Sequence, residues 1–205
     1  MPQQHSCPTQ HRDNEESLSA PRRAKLATAG ITPLRHGPHC PGLSGIFSIV
    51  NGIRLTLGLR HQFSDRDSVA LVETGLRFLN GRVTPERAVT CGLPSGLWLR
   101  LAEGLTNRVR ERTGLFVSVE REYPSDSNWA SAQATIEQAI ERRRPLLTLM
   151  RGGRYTAVSG FTAHSLLLFD SGGAQWILKS AIGIAGNGDD AKHILYPKTF
   201  ISFRT

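Results

Sequence analysis

Three short apolar runs within residues 145–177 constrain the fold of this chain more than any other feature. They are Leu146–Met150, Tyr155–Val158 and Leu166–Phe169, and each is followed by glycine or serine residues that favour turns. Runs this short, bounded by turn residues, are typical of β-strands rather than helices. Because few residues separate them, they should pair as an antiparallel meander. The first and third runs are almost continuously apolar, so we expect other elements to cover both of their faces.

The segments before these runs have the periodicity of helices. Apolar residues recur three and four positions apart, which predicts helices over 45–59, 64–80, 95–112 and 129–144. The first helix is apolar around most of its circumference, so it should lie at the centre of the domain. Gly52 within it indicates close packing against another element. Further strands are predicted over 115–120, 175–178 and 194–203, with connections over 82–90 and 183–190.

The helix over 64–80 has an amphipathic pattern. Its apolar stripe consists of Val69, Val72, Leu76 and Leu79, and this stripe is the predicted buried face. Ser64 is the predicted N-cap of this helix. Because helices dominate the first half of the chain and strands the second, the predicted fold class is α+β.

Residues 1–40 differ in composition from the rest of the chain. They are rich in proline, glutamine, histidine, serine and arginine, which predicts a disordered, polar and basic tail. The remaining residues, 41–205, have the length of one domain. The tail contains possible zinc ligands by residue type, namely Cys7, His11, His36, His39 and Cys40. Their spacing matches no zinc finger, so we predict no metal site and no cofactor.

Charge and cysteine content restrict the class of protein. The formal net charge of +8 favours anionic partners, although the arginines are dispersed apart from Arg142–Arg144, so a basic protein that does not bind nucleic acid is the preferred interpretation. The chain has three cysteines, a number typical of a reducing compartment. No apolar stretch is long enough to cross a bilayer, and the first residues lack the apolar core of an export signal. These features predict a cytoplasmic protein with no membrane partner.

Two short sequence segments in the second half of the chain resemble motifs of papain-like cysteine peptidases, most closely those of the bacterial branch that includes bacteriocin-processing peptidases. In that family a catalytic His opens a strand in the pattern His-aromatic-x-x-Val-x-Gly, and a later strand ends in the Asp that orients the His. The corresponding segments of this chain are Arg154-Tyr155-Thr156-Ala157-Val158-Ser159-Gly160 and Leu168-Phe169-Asp170. The resemblance extends from Pro41 to Ile177 as an order of elements. It implies a papain-like α+β fold, with a helical N-terminal half packed on a C-terminal antiparallel sheet.

The resemblance also implies an altered catalytic site. Ser44-Gly45 stands at the family's Cys-Gly, where the start of the central helix lowers the pKa of the nucleophilic thiol. Arg154 stands at the position of the general base, and an arginine is always protonated. Asp170 stands at the orienting acid, and the family's oxyanion Gln has no counterpart before Ser44. The implied function is a pseudoenzyme, a peptidase-like protein that binds a peptide or an anionic ligand in the cleft without cleaving it.

Each of these residues also has a purely structural interpretation. Ser44 is a suitable helix N-cap, Asp170 can initiate the turn at Ser171-Gly172-Gly173, and Arg154 can be either an edge-strand residue or the ion-pair partner of Asp170.

Two alternative functions are retained. One is an active papain-like hydrolase that uses Cys40 or Cys91 as its nucleophile. The other is an arginine-rich module that binds nucleic acid or another acidic partner. Thiol reactivity tests the first alternative, and salt-dependent binding to a polynucleotide tests the second.

Overall fold

The fold places five helices before and between the strands of one large sheet. The computed structural model describes residues 22–26, 28, 31–37, 40–58, 63–187 and 190–205. Within these ranges the helices are α1 (Ser44–Leu57), α2 (Asp65–Leu79), α3 (Pro85–Thr90), α4 (Ser95–Thr113) and α5 (Trp129–Glu141). Short 3-10 turns cover Pro41–Leu43 and Lys179–Ala181. The four predicted helices are present, and α3 lies in a stretch that we expected to be a connection.

The sheet contains eight strands in the described ranges. They are β1 (Ala24–Lys25), β2 (Ser118–Arg121), β3 (Leu146–Met150), β4 (Arg154–Phe161), β5 (Ser165–Leu168), β6 (Trp176–Leu178), β7 (Ile182–Ile184) and β8 (His193–Arg204). The strand order is β2-β8-β3-β4-β5-β6, with β1 beside β4 and β7 beside β8. All pairs are antiparallel except β7 with β8. The predicted meander is therefore confirmed as β3-β4-β5-β6, and the fold class is α+β.

Helix α1 lies against the sheet at very short range. Twelve of its fourteen residues are buried, which agrees with its apolar circumference. Gly52 permits the approach, since a Cβ atom there would lie 2.6 Å from Cε2 of Phe203 on β8 and 2.8 Å from Cδ1 of Leu147 on β3. The close packing predicted at Gly52 is confirmed.

Helix α2 buries a different face from the predicted one. Val69 and Leu76 are 50% and 46% exposed, whereas Ser68, Leu71, Gly75 and Leu79 are buried. The reason is Gly75, where a Cβ atom would lie 2.9 Å from Cγ2 of Ile46 on α1. The predicted stripe is therefore wrong apart from the half-buried Val72 and the buried Leu79. The predicted cap is confirmed, because the Ser64 side chain accepts a hydrogen bond from the Asp67 amide.

Part of the predicted disordered tail packs on the domain. Strand β1 pairs with the end of β4, and the Leu26 amide donates to the carbonyl of Ser159 over 2.7 Å. Further along, the buried Asn51 of α1 bonds the Leu34 backbone twice, accepting from its amide over 2.8 Å and donating to its carbonyl over 3.1 Å. This packing differs from our expectation, because the apolar side chains of Ala24, Leu26, Ile31 and Leu34, together with these hydrogen bonds, anchor a segment of polar composition. Residues 1–21, with Cys7 and His11, lie outside the described ranges.

No helix in the described parts of the chain has the length and apolar character needed to cross a membrane.

We expect Gly52→Ala to lower the free energy of unfolding by about 1–3 kcal/mol, because overpacking against Phe203 outweighs the gain in helix propensity. Urea denaturation measures the change. Gly104→Ala in α4 is the matched control, since its Cβ would lie 3.9 Å from the nearest atoms, those of Phe78. That variant should be stabilised by up to about 1 kcal/mol. Equal effects of the two substitutions would contradict the close approach of α1 to the sheet.

Candidate functional site

Ser44 is the first residue of α1 and is fully buried. Its Oγ accepts a hydrogen bond of 3.0 Å from the backbone amide of Tyr155 on β4. The N-cap of the helix is Leu43, and no side chain caps this end. The N-cap interpretation of Ser44 is therefore wrong, because its hydroxyl accepts a hydrogen bond from a strand amide and not from an amide of the helix. The start of α1 is thus joined directly to the strand that begins at Arg154.

An aromatic pair closes over the start of α1. The rings of Trp98 and Tyr155 stack with centroids 4.3 Å apart. The indole Nε1 of Trp98 donates to the carbonyl of Gly45 over 2.9 Å, and the Tyr155 hydroxyl donates to the carbonyl of Leu93 over 2.8 Å. Burial raises the pKa of the Tyr155 hydroxyl, so this group remains a neutral donor. The start of α1 is therefore packed with hydrogen-bonded polar groups and large rings.

Arg154 and Asp170 form an ion pair beside this cluster. Nη2 of Arg154 donates to Oδ2 of Asp170 over 2.7 Å, and the carboxylate is fully buried while the arginine side chain is 37% exposed. Nε of Arg154 and Oδ1 of Asp170 are both buried and have no partner among the described residues. A one-point contact of this kind neutralises the carboxylate and leaves one face of the guanidinium towards solvent.

Asp170 also organises the turn that follows β5. Its Oδ2 accepts from the amide of Gly172 over 2.8 Å and, at 3.3 Å, from that of Ala174. The carbonyl of Asp170 accepts from the amide of Gly173. The turn interpretation and the ion-pair interpretation of this residue are thus both observed, since one carboxylate oxygen serves both.

His193, at the start of β8, is electrostatically coupled to this pair. Burial lowers its pKa below the ordinary value, and the positive charges of Lys192 and Arg154 lower it further. The sequence pattern did not single out this histidine as part of the site, because it lies 39 residues beyond Arg154 and only the pairing of the strands brings it near.

In the described part of the chain, neither of the two alternative nucleophiles is hydrogen-bonded to a base. Cys40 is half-buried, and its backbone donates to the carbonyl of Gly37 and accepts from the amide of Leu43. Cys91 is exposed at the end of α3, with its Sγ 3.4 Å from Oγ1 of Thr90. Within the described ranges no hydrogen bond joins either thiol to a histidine, and His39, which is adjacent to Cys40, lies outside them. Nor does any group of three potential metal-binding side chains occur in those ranges.

Two cavities open on the surface near these groups. One, the Asp170 cavity, has a volume of about 700 Å³, and its lining includes Asp170, Lys25, Arg35, Leu167 and Trp176. The other has a volume of about 610 Å³ and is lined by residues that include Cys91, Gly153 and Lys198. Ser44 lines neither of these cavities.

Comparison with known proteins adds no assignment. No protein-family model matches this chain, and no curated protein matches its sequence. The interpretation of the site therefore depends on its own geometry.

Sequence reasoning missed the residues that close the site and those that surround the cavity. Trp98 was predicted only as part of a helix, and Leu93 only as part of the segment that leads into that helix. Lys25 and Arg35 were assigned to the tail. The one available signal was Tyr155, the aromatic residue of the quoted motif. Its contacts with α1 and α4 depend on how three distant segments pack.

Replacing Ser44 by alanine should lower the free energy of unfolding by about 1–3 kcal/mol, because the buried amide of Tyr155 loses its acceptor. Ser48→Ala is the matched control in the same helix. The Ser48 hydroxyl donates to the carbonyl of Gly45, which keeps its bond from Trp98 in that variant, so we expect a loss of about 1 kcal/mol or less. Chemical denaturation distinguishes the two. A Ser44→Ala variant as stable as the wild type would contradict the structural role of this hydroxyl.

Arg154→Met should raise the pKa of His193, measured by NMR titration, because one of the two neighbouring positive charges is removed. Burial remains, so the pKa should stay below 6.5. Arg100→Met on the exposed face of α4 is the control and should leave the titration unchanged.

The same titration links stability to pH. A histidine with a depressed folded-state pKa binds fewer protons when folded than when unfolded, so the free energy of unfolding falls as the pH drops from 6.5 towards the folded-state pKa. This loss should be smaller in Arg154→Met than in the wild type. An unchanged His193 titration in Arg154→Met would contradict the coupling.

Proposed function

We propose that this chain is a papain-like domain related to the bacteriocin-processing branch of cysteine peptidases, and that it binds a ligand without peptidase chemistry. The observation that carries the proposal is the state of Ser44. This residue occupies the family's nucleophile position, is fully buried, and uses its Oγ as the acceptor for a backbone amide. A hydroxyl in this state has no access to a substrate carbonyl.

The pair at the other two family positions supports the same conclusion. A general base must accept a proton near neutral pH, and a guanidinium cannot do so. Asp170 would orient a histidine in the peptidases, and here it holds Arg154 through a charge-assisted hydrogen bond. The pair fixes the beginning of β4 against the turn after β5, so its contribution is to architecture and to the local electrostatic field rather than to proton transfer.

The ligand that this arrangement favours is anionic. Lys25 and Arg35 are exposed residues in the wall of the Asp170 cavity, and neither forms an ion pair in the described part of the chain. The one carboxylate in that wall is Asp170, and Arg154 neutralises it. The cavity therefore has a net positive wall that attracts carboxylate or phosphate groups.

We expect no peptidase activity on unstructured peptides near pH 7, and no covalent labelling by a peptidyl vinyl sulfone, a probe that reacts with activated peptidase thiols. The reason is that the nucleophile position holds a buried hydroxyl and the base position holds a guanidinium. Mass spectrometry of the intact protein measures the labelling. The double variant Cys40→Ser/Cys91→Ser should retain its circular dichroism spectrum.

Arg154→His is the matched control, which tests whether restoring a histidine at the position of the general base is enough to create activity. It restores a base at the family position, yet it should remain inactive because Ser44 stays buried and the oxyanion Gln is missing. Stoichiometric labelling of Cys40 or Cys91 that disappears on replacing one histidine would overturn the proposal and identify an active hydrolase instead.

A further inference from the structure

Strand β6 is the last strand in the sheet order, and among the described residues no strand pairs with its outer side. The direction of its backbone groups follows from the hydrogen bonds at each end of the β5–β6 pair. Lys179 N donates to His164 O, and Leu168 N donates to Gln175 O. Antiparallel strands alternate between bonded and non-bonded residue pairs, so Ile177 faces β5, and the amides of Trp176 and Leu178 face outward.

The side chains at this edge are apolar and exposed. Trp176 is 55% exposed and Leu178 is 45% exposed, whereas Ile177 between them is buried. Successive side chains of a strand alternate between faces, so Trp176 and Leu178 share one face of the sheet. Trp176 stands opposite the half-buried Leu167 of β5 on that face. A free strand edge flanked by exposed apolar side chains is a template for pairing with another extended segment.

This edge is continuous with the Asp170 cavity. Trp176 belongs to both, its neighbour Leu167 on β5 also lines the cavity, and the cavity wall includes Lys25 and Arg35. A segment that paired with β6 would therefore lie beside a positively charged cavity. Apolar residues at alternate positions of such a segment would contact Trp176 and Leu178, and acidic residues would be attracted by the two cations.

We propose that β6 and the Asp170 cavity form a binding site for an extended acidic peptide, which adds to the sheet as a further strand beyond β6. The inference rests on the proposed function, because it names the ligand class of the non-catalytic domain and the surface that holds it. The two outward amides supply backbone hydrogen bonds, Trp176 supplies the apolar contact, and Lys25 with Arg35 select acidic residues.

A second copy of this chain is a poorer occupant of the same edge. β6 has only three residues, so pairing between two copies would form a very short ladder. It would also bring the two positively charged cavities near each other, which opposes association. An acidic peptide forms an equally short ladder, but it carries the complementary charge and can extend beyond the strand into contact with the cavity wall.

The test uses a fluorescein-labelled hexapeptide of alternating glutamate and valine, titrated with the full-length protein and followed by fluorescence polarisation. We expect saturable binding that weakens as salt concentration increases, because surface charges are screened. The same peptide with lysine in place of glutamate should not bind. A version with its alternate amides N-methylated should bind at least about 10-fold more weakly, since it cannot complete the ladder.

Three variants test the surface itself. Trp176→Ala should weaken binding about 10-fold or more, as is common for a central aromatic contact. Lys25→Glu with Arg35→Glu should weaken it about 10-fold at low salt and reduce the dependence on salt. Arg66→Glu with Arg100→Glu is the charge-matched control, because it reverses two exposed arginines that lie outside the cavity wall, and it should change affinity less than about twofold.

Leu178→Pro, compared with Leu178→Ala, tests the backbone contact separately from the side chain, because both variants remove the leucine and only proline removes the outward amide. Leu178 has φ of −70°, which a proline ring accepts, and its amide makes no bond to β5, so the fold should be retained. Binding should weaken at least about fivefold because one outward donor is removed. Circular dichroism and urea denaturation confirm that each variant is folded.

Several outcomes would overturn the inference. They are the absence of binding up to millimolar protein, equal binding of the lysine peptide, or affinity unchanged in both Trp176→Ala and Leu178→Pro. Sedimentation that shows a dimer abolished by these two substitutions would assign the edge to a second copy instead. Any of these results would leave the proposed loss of peptidase chemistry standing, whereas cleavage of the peptide would overturn that proposal and not the binding site.

Discussion

The contact between α1 and the sheet is the constraint on which the rest of this structure depends. A helix that is apolar around its circumference has to be covered on all sides, and here the sheet covers one side while α2 and α4 cover others. Gly52 sets the distance in the middle of the helix, and Ser44 sets the registration at its start by accepting from the Tyr155 amide. Any side chain at residue 44 is therefore held in the packed contact between α1 and the sheet, which limits its use in a reaction.

The same constraint underlies our proposal that the candidate site binds a ligand without peptidase chemistry. Trp98 and Tyr155 close the start of α1, and the Arg154–Asp170 pair holds the neighbouring turn. What remains accessible lies farther out, at the Asp170 cavity and the β6 edge. That surface has charge, apolar contact area and free backbone donors, the features that hold a peptide without acting on it.

Much of the fold could be predicted because its signals are local. The short apolar runs bounded by glycine or serine predicted β3, β4 and β5, and Ser64 predicted the start of α2. The buried face of α2 was predicted wrongly, because the apolar pattern favoured Val69 and Leu76, whereas close approach at Gly75 turned the helix towards Ile46. The apolar pattern of one helix does not show that a glycine on that helix will pack closely against a branched side chain on another helix.

By itself, the sequence determined the α+β order of elements, the central position of α1, and the residue types at positions 44, 154 and 170. Only the tertiary structure decided what those residues do. Ser44 became an acceptor for a sheet amide, Asp170 became both a turn residue and an ion-pair partner, and part of the polar N-terminal segment became a wall of the cavity. The physical reason is that periodicity and turn chemistry act over a few neighbouring residues. A hydrogen bond between residues 44 and 155, or a cavity between residues 25 and 176, exists only after distant segments have packed together.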